Sequence, residues 1–150
     1  MAINLNQFAP NTPLDGMYVY QANLPQFHNV IVGATQATAL ASGDFVKLDT
    51  TSTNTNAPVA LAAGASDVVF GVVSYNPRKN QWVAGDKIAI ARSGDVIFKT
   101  AGGSIAVGAE LYHNATNKVV SSDPGSGTKI GVALTPAAAE GDIIQVLLKF

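Results

Sequence analysis

Residues 83–100 read Val-Ala-Gly-Asp-Lys-Ile-Ala-Ile-Ala-Arg-Ser-Gly-Asp-Val-Ile-Phe-Lys-Thr, and the fold turns on how they are read. Ile88 and Ile90 alternate with Lys87, Ala89 and Ala91, the period-two pattern of a strand with one buried face. Ser93-Gly94-Asp95 then supplies turn chemistry, because Gly accepts positive φ and Asp hydrogen-bonds nearby backbone. In the next strand Val96 and Phe98 share one face, and Ile97 and Lys99 share the other. The expectation is a β-hairpin in which Gly-Asp announces each strand.

Outward from this stretch, strands are predicted wherever aromatic and β-branched residues cluster. These are residues 17–21, 27–32, 44–49 and 68–75, then 109–113 and 118–121 around a polar turn, and finally 129–134 and 142–150. Residues 34–41 suit a short helix or a loop equally. Gly71, inside an apolar run, points to a bulge or a close backbone approach. Fourteen Gly and seven Pro interrupt the windows in which a long helix could form. The predicted class is all-β, a single barrel-like domain at residues 17–150 with about ten short strands. Residues 1–16 are rich in Asn and Pro and read as an extended amino-terminal arm. Ile3, Leu5 and Phe8 are spaced along it as anchors for a partner surface.

The turn signals recur. Gly-Asp precedes an apolar strand at 43–44, 85–86 and 141–142, with Gly108-Ala109 in the same role. A second signature, an apolar residue followed by Gly and two apolar residues, appears at 70–73 (Phe-Gly-Val-Val) and 130–133 (Ile-Gly-Val-Ala). In order, these marks make a two-fold pattern across residues 41–92 and 106–148.

Composition narrows the function classes. A net charge of −1 with no basic stripe argues against direct nucleic-acid binding. Only 13% of residues are charged, about half the usual share, which suits a neutral polar surface within an assembly. The absence of Cys removes disulfides and thiolate chemistry. The amino terminus lacks the pattern of a secretory leader, and no apolar run approaches the roughly 20 residues of a membrane span, so synthesis in a cytoplasm and no membrane partner are expected. His28 and His113 have no companion ligand at metal-binding spacing. No Gly-x-Ser-x-Gly elbow is present, and residues 124–129 lack phosphate-loop spacing. The expectation is no enzyme, no cofactor and no metal, with the Asp residues serving turns.

The succession of motifs resembles the capsid cement or head decoration proteins of tailed bacteriophages. The resemblance is carried by Gly85-Asp86 with Ile88 and Ile90, and by Ser93-Gly94-Asp95-Val96. It continues through Val107-Gly108-Ala109-Glu110-Leu111-Tyr112, the strand at 129–134, and Gly141-Asp142 with the strand at 143–148. It covers residues 41–150 and implies a small barrel of the β-tulip type. It also implies a homotrimer bound to the major capsid protein on the outside of a virion, stabilising the head by bridging capsomers. Residues 76–82 (Asn-Pro-Arg-Lys-Asn-Gln-Trp) form the most distinctive loop. Trp and Arg are over-represented at interface hot spots, so Arg78, Lys79 and Trp82 join Ile3, Leu5 and Phe8 as candidate contacts with capsid or a sister subunit. The alternative is a virion-surface module for carbohydrate or a host receptor, with Trp82 or tyrosines lining its site.

Overall fold

The structure, a computed structural model, describes residues 14–17, 28–125 and 128–150. Among these, twelve short strands form and no helix does. The predicted strand at 17–21 lies outside the described residues except for Met17, which is not in a strand. The strand predicted at 68–75 contracts to three residues, and the region 34–41 is a loop ending in a two-residue strand. Gln81 and Trp82, read as loop, are a short strand, and residues 59–62 form a strand that the sequence reading passed over.

The strands fall into two units. In the first, β1 (His28–Val32), β3 (Phe45–Leu48), β4 (Val59–Ala62), β5 (Gly71–Val73) and β7 (Lys87–Ala91) close a barrel in the order β1-β4-β3-β5-β7. A parallel β1–β4 pairing and an antiparallel β1–β7 pairing seal it. A two-stranded flap, β2 (Leu40–Ala41) against β6 (Gln81–Trp82), inserts Leu40 and Trp82 into the barrel core beside Val30, Val46, Ile88 and Ile90. In the second unit, β8 (Val96–Thr100), β9 (Glu110–His113), β10 (Val119–Val120), β11 (Lys129–Ala133) and β12 (Ile143–Leu148) run in the order β10-β9-β11-β12-β8.

The expected hairpin at residues 83–100 does not form. Both strands exist, but β7 already has β1 and β5 on its two edges, so no edge remains for β8. β8 pairs with β12 instead. Residues 92–95 therefore carry the chain out of one unit and into the next. Their turn closes on itself, since the Asp95 N–H donates to the Arg92 carbonyl (3.0 Å) and the Arg92 N–H to the Asp95 carboxylate (2.8 Å). The Gly94 N–H then docks the turn on the Leu148 carbonyl (2.8 Å).

This clasp is the common device of the fold. Asp44, Asp86 and Asp142 likewise accept from backbone N–H groups three residues back. The glycine between sits in the left-handed region, as at Gly85 with φ 88°, where a side chain would be strained. Each glycine N–H also caps the end of a neighbouring strand: Gly43 on Val73, Gly85 on Val32, Gly108 on Ala133, and Gly141 on Ala101. The carboxylates are thus used in architecture, each satisfying a backbone N–H of its own turn.

The two-fold sequence pattern is a two-fold structure. Val46 faces Gly71 as Leu111 faces Gly131, and Val73 faces Ile90 as Ala133 faces Val146. Val30 faces Ile88 as Lys99 faces Ile144. Even the parallel seal recurs, as a single bridge from Ala101 to Val119, and the flap recurs as a bridge from Ile105 to Ala137. The repeat therefore begins at β1 and β8, earlier in each half than the Gly-Asp marks alone indicate.

The units join along one face. Phe45, Val72 and Ala91 point away from the first barrel and lie fully buried in one cluster with Ile97, Ile130, Ile144 and Leu148 of the second unit. Phe45 meets His113 at 5.3 Å between ring centroids. Burying such side chains stabilises by roughly 1.5–3 kcal/mol each, which makes the two units one body.

Candidate functional site

Alternation places Lys99 on the same face of β8 as Ile97, and that face points inward. Lys99 is accordingly fully buried. Its ammonium donates to the Asp15 carboxylate (2.9 Å), the Asn117 carbonyl (2.9 Å) and the Gly43 carbonyl, and lies 4.4 Å above the Phe45 ring. All three of its donors are used, which is what allows an ion to persist away from water. Asp15 also accepts from the Thr100 N–H (2.9 Å). Asn117, at φ 59°, donates its side-chain amide to Asp44 (3.0 Å) and accepts from the Phe45 N–H (3.3 Å). Burial pushes the Asp15 carboxyl up, opposed by Lys99, and pushes Asp44 up as well. Burial pushes the Lys99 ammonium down, opposed by Asp15 and Asp44.

This cluster is a joint. It ties together the turn at residues 14–17, the turn before β3, the start of the second unit and the β9–β10 turn. The Gly16 N–H donates to Phe98, the Phe98 N–H to Met17, and the Tyr75 N–H to Gly16. Residues 14–17 are thus stitched into the body at both units. Sequence reading missed Lys99, although its place on the Ile97 face was the available signal. It missed Asp15 because nothing local connects it to a lysine far along the chain.

The second histidine is equally structural. His113 is fully buried and its Nε2 donates to the Gly64 carbonyl (2.7 Å), while Nδ1 has no partner among the described residues. His28 lies exposed on β1, and among the described residues no group of acidic or histidine side chains is placed to hold a metal ion.

The surface loop at residues 76–82 splits by depth. Arg78 and Lys79 are exposed, and the loop is shaped by the Arg78 N–H donating to the Asn76 side chain (2.9 Å). Lys79 reaches Asp86 (2.7 Å), and together with the Val83 N–H it holds that carboxyl below the usual carboxylate range. Trp82 is buried, 4% exposed, and pairs with Leu40. Its indole belongs to the barrel core and holds the loop up from beneath. Beside it Val83 is 58% exposed, a residue that sequence reading did not single out. Val68 and Val107 are also exposed, the latter at a turn tip. Ile3, Leu5 and Phe8 lie outside the described residues.

What this arrangement offers is one packed body presenting polar loops, with exposed apolar side chains such as Val83 and Val107 and an exposed Arg78 beside the Lys79–Asp86 pair. A family model described as phage cement protein matches residues 25–149. Among solved structures, the chain is similar to the head fiber gp8.5 N base of bacteriophage phi29. The identity is 16% and the TM-score 0.56, over 82% of this chain and 92% of that chain. No curated protein matches the chain.

Proposed function

The chain belongs to the phage cement protein family, as a capsid-associated structural protein of a phage, and on that premise we propose that it bridges capsomers on the outer face of the head. In this reading it is made in the host cytoplasm, binds the major capsid protein as a homotrimer, and acts by adhesion with no catalytic step. The family match over most of the chain carries the reading. Two physical features support it: the paucity of charge, and a two-unit body held by one shared buried cluster, with Val83 and Val107 exposed at or beside turns. The test is to add the purified protein to capsids that lack it and follow their thermal disruption. Capsids that resist heat better with the protein support cementing, and equal resistance with and without it sinks the idea.

The contact residues follow from the same reading. Arg78 and Lys79 form the basic rim of the capsid-facing loop, and Trp82 supports that rim from the core. The double change Arg78→Ala/Lys79→Ala is expected to weaken capsid binding roughly tenfold, about 1.4 kcal/mol, with an unchanged melting temperature. Binding assays that find wild-type affinity would remove this loop from the interface. The glycan-binding alternative needs exposed aromatic platforms, and a buried Trp82 does not supply one.

Ile3, Leu5 and Phe8 serve in this proposal as anchors of an arm that engages the capsid. Since residues 14–17 are bonded into the body, this proposal confines the arm expected at residues 1–16 to residues 1–13. Removing residues 1–13 is expected to leave thermal stability intact and to weaken capsid binding. Removing residues 1–16 also takes away Asp15 and should lower the melting temperature. A shorter truncation that unfolds the protein would place those residues in the core.

A further inference from the structure

We propose that Lys99 and Asp15 condense spontaneously into an intramolecular isopeptide bond, which fastens residues 14–17 covalently to the second unit. The buried cluster holds every group that this condensation uses. An amine, an acceptor carboxyl, a backbone donor for the developing oxyanion and a neighbouring carboxyl meet in one place. The ion pair described above is the state from which the bond closes.

The three partners of Lys99 Nζ fix the direction of attack. Two are the Gly43 and Asn117 carbonyls, which only accept and which hold two of its protons. The third is Asp15 Oδ2 at 2.9 Å. When the third proton crosses to that carboxylate, the amine becomes neutral and the lone pair left behind faces the Asp15 carboxyl. Burial favours the transfer, because it removes two charges at once: it pushes the Lys99 ammonium down and the Asp15 carboxyl up. The Phe45 ring, 4.4 Å from Nζ, gives the amine an apolar floor. On the other oxygen, Asp15 Oδ1 accepts the Thr100 N–H at 2.9 Å, so a donor already stands where negative charge develops.

The step balances with no further reagent. Nζ attacks Asp15 Cγ, the C–N bond forms, and the π pair of the carbonyl moves onto Oδ1. As that pair returns, the Cγ–Oδ2 bond breaks. Oδ2 leaves as water, carrying the proton it first took and one more from Nζ. Asp44 is the group to carry that second proton. Its carboxyl is anchored by the Ala41 N–H (2.8 Å) and the Asn117 amide (3.0 Å), and it lies within the field of both Lys99 and Asp15. Burial pushes it up as well, toward the range where a carboxyl both takes and gives a proton. The Asp15 side chain is 28% exposed and that of Lys99 0%, so the released water has its way out on the Asp15 side. The linked residues are 84 apart in sequence, and the bond therefore also constrains a long loop of the unfolded chain. The first unit has no such site, because Val30 stands at the register position of Lys99.

The experiment is the intact mass of the purified full chain, followed by tryptic mapping. The expected mass is one water below that of the sequence. Lys99 should resist cleavage, and residues 1–47 should appear joined to residues 93–118. Asp15→Ala and Lys99→Arg should each show the full sequence mass. Asp44→Asn leaves both partners in place and is expected to slow closure roughly 100-fold, leaving much of the purified protein unreacted. A wild type at its full sequence mass overturns the proposal, whether or not the variants fold. So does a loss of water with no joined fragments, which a succinimide at Asp15-Gly16 would give, or with fragments joined elsewhere. An Asp44→Asn protein that is fully bonded in the same time overturns the role given to Asp44. The mass is read without capsids, so the cementing reading stands or falls separately.

Discussion

Replacing Lys99 with Met is expected to lower the free energy of unfolding by about 3–5 kcal/mol, the cost of breaking a buried ion pair from one side. The substitution keeps volume and shape near the Phe45 ring but removes all three donors. It leaves the Asp15 carboxylate without its cation, and the Gly43 and Asn117 carbonyls without their partner. An unsatisfied buried acceptor costs about 1–3 kcal/mol by itself, so the losses combine. Removing Asp15 as well should recover part of the loss, giving a coupling energy on the order of 2 kcal/mol in a double-mutant cycle. The first unit shows why recovery is reasonable: at the matching register it carries Val30, buried and needing no partner. Urea unfolding of the single and double variants reads both quantities. A loss from Lys99→Met below about 1 kcal/mol would put the pair in the class of exposed surface bridges and remove it as the joint of the fold.

That joint marks where legibility in the sequence ended. Strand content could be read because Ile88 and Ile90, or Ile144 and Val146, alternate with smaller or more polar neighbours, and alternation is a local property. The Gly-Asp turns could be read for the same reason, since clasp and left-handed glycine both lie within four residues. Pairing could not. The turn at 92–95 has every feature of a hairpin turn, yet the edges of β7 are filled by β1 and β5, strands whose claim on it depends on the whole barrel. Trp82 stands among the candidate contacts by its residue type, whereas its depth is set by Leu40 on a distant flap strand. The Lys99–Asp15 pair spans most of the chain, and no spacing rule could have joined them. What did cross this gap was the repeat. Two runs of ordered marks implied two equivalent units, and equivalence of register is a statement about three dimensions that a periodic sequence can make.

Gly131→Ala is the change that tests this equivalence most severely, with an expected loss above about 3 kcal/mol, beyond ordinary overpacking. A Cβ at Gly131 would stand 2.2 Å from the Leu147 carbonyl oxygen and 3.1 Å from Val146 Cγ1. That oxygen belongs to the β11–β12 ladder, where Val132 pairs with Leu147 and Gly131 with Leu148, so it cannot withdraw without opening the sheet. The matching glycine of the first unit, Gly71, is less crowded. There a Cβ would meet Ile90 Cδ1 at 2.8 Å and the Ala91 carbonyl at 2.9 Å, and the former is the movable end of a side chain. Gly71→Ala should therefore cost about 1–3 kcal/mol. Gly85→Ala is the control. It meets nothing within 4 Å, so it bears only the strain of a left-handed alanine at φ 88°, roughly 1–2 kcal/mol. Denaturant unfolding of the three variants should rank Gly131 worst, and a Gly131→Ala protein as stable as Gly85→Ala would mean the strand glycines are not required for close approach. With that order confirmed, the Phe-Gly-Val-Val and Ile-Gly-Val-Ala motifs become positions where backbone meets backbone, and the interval between them becomes the period on which the two units are built.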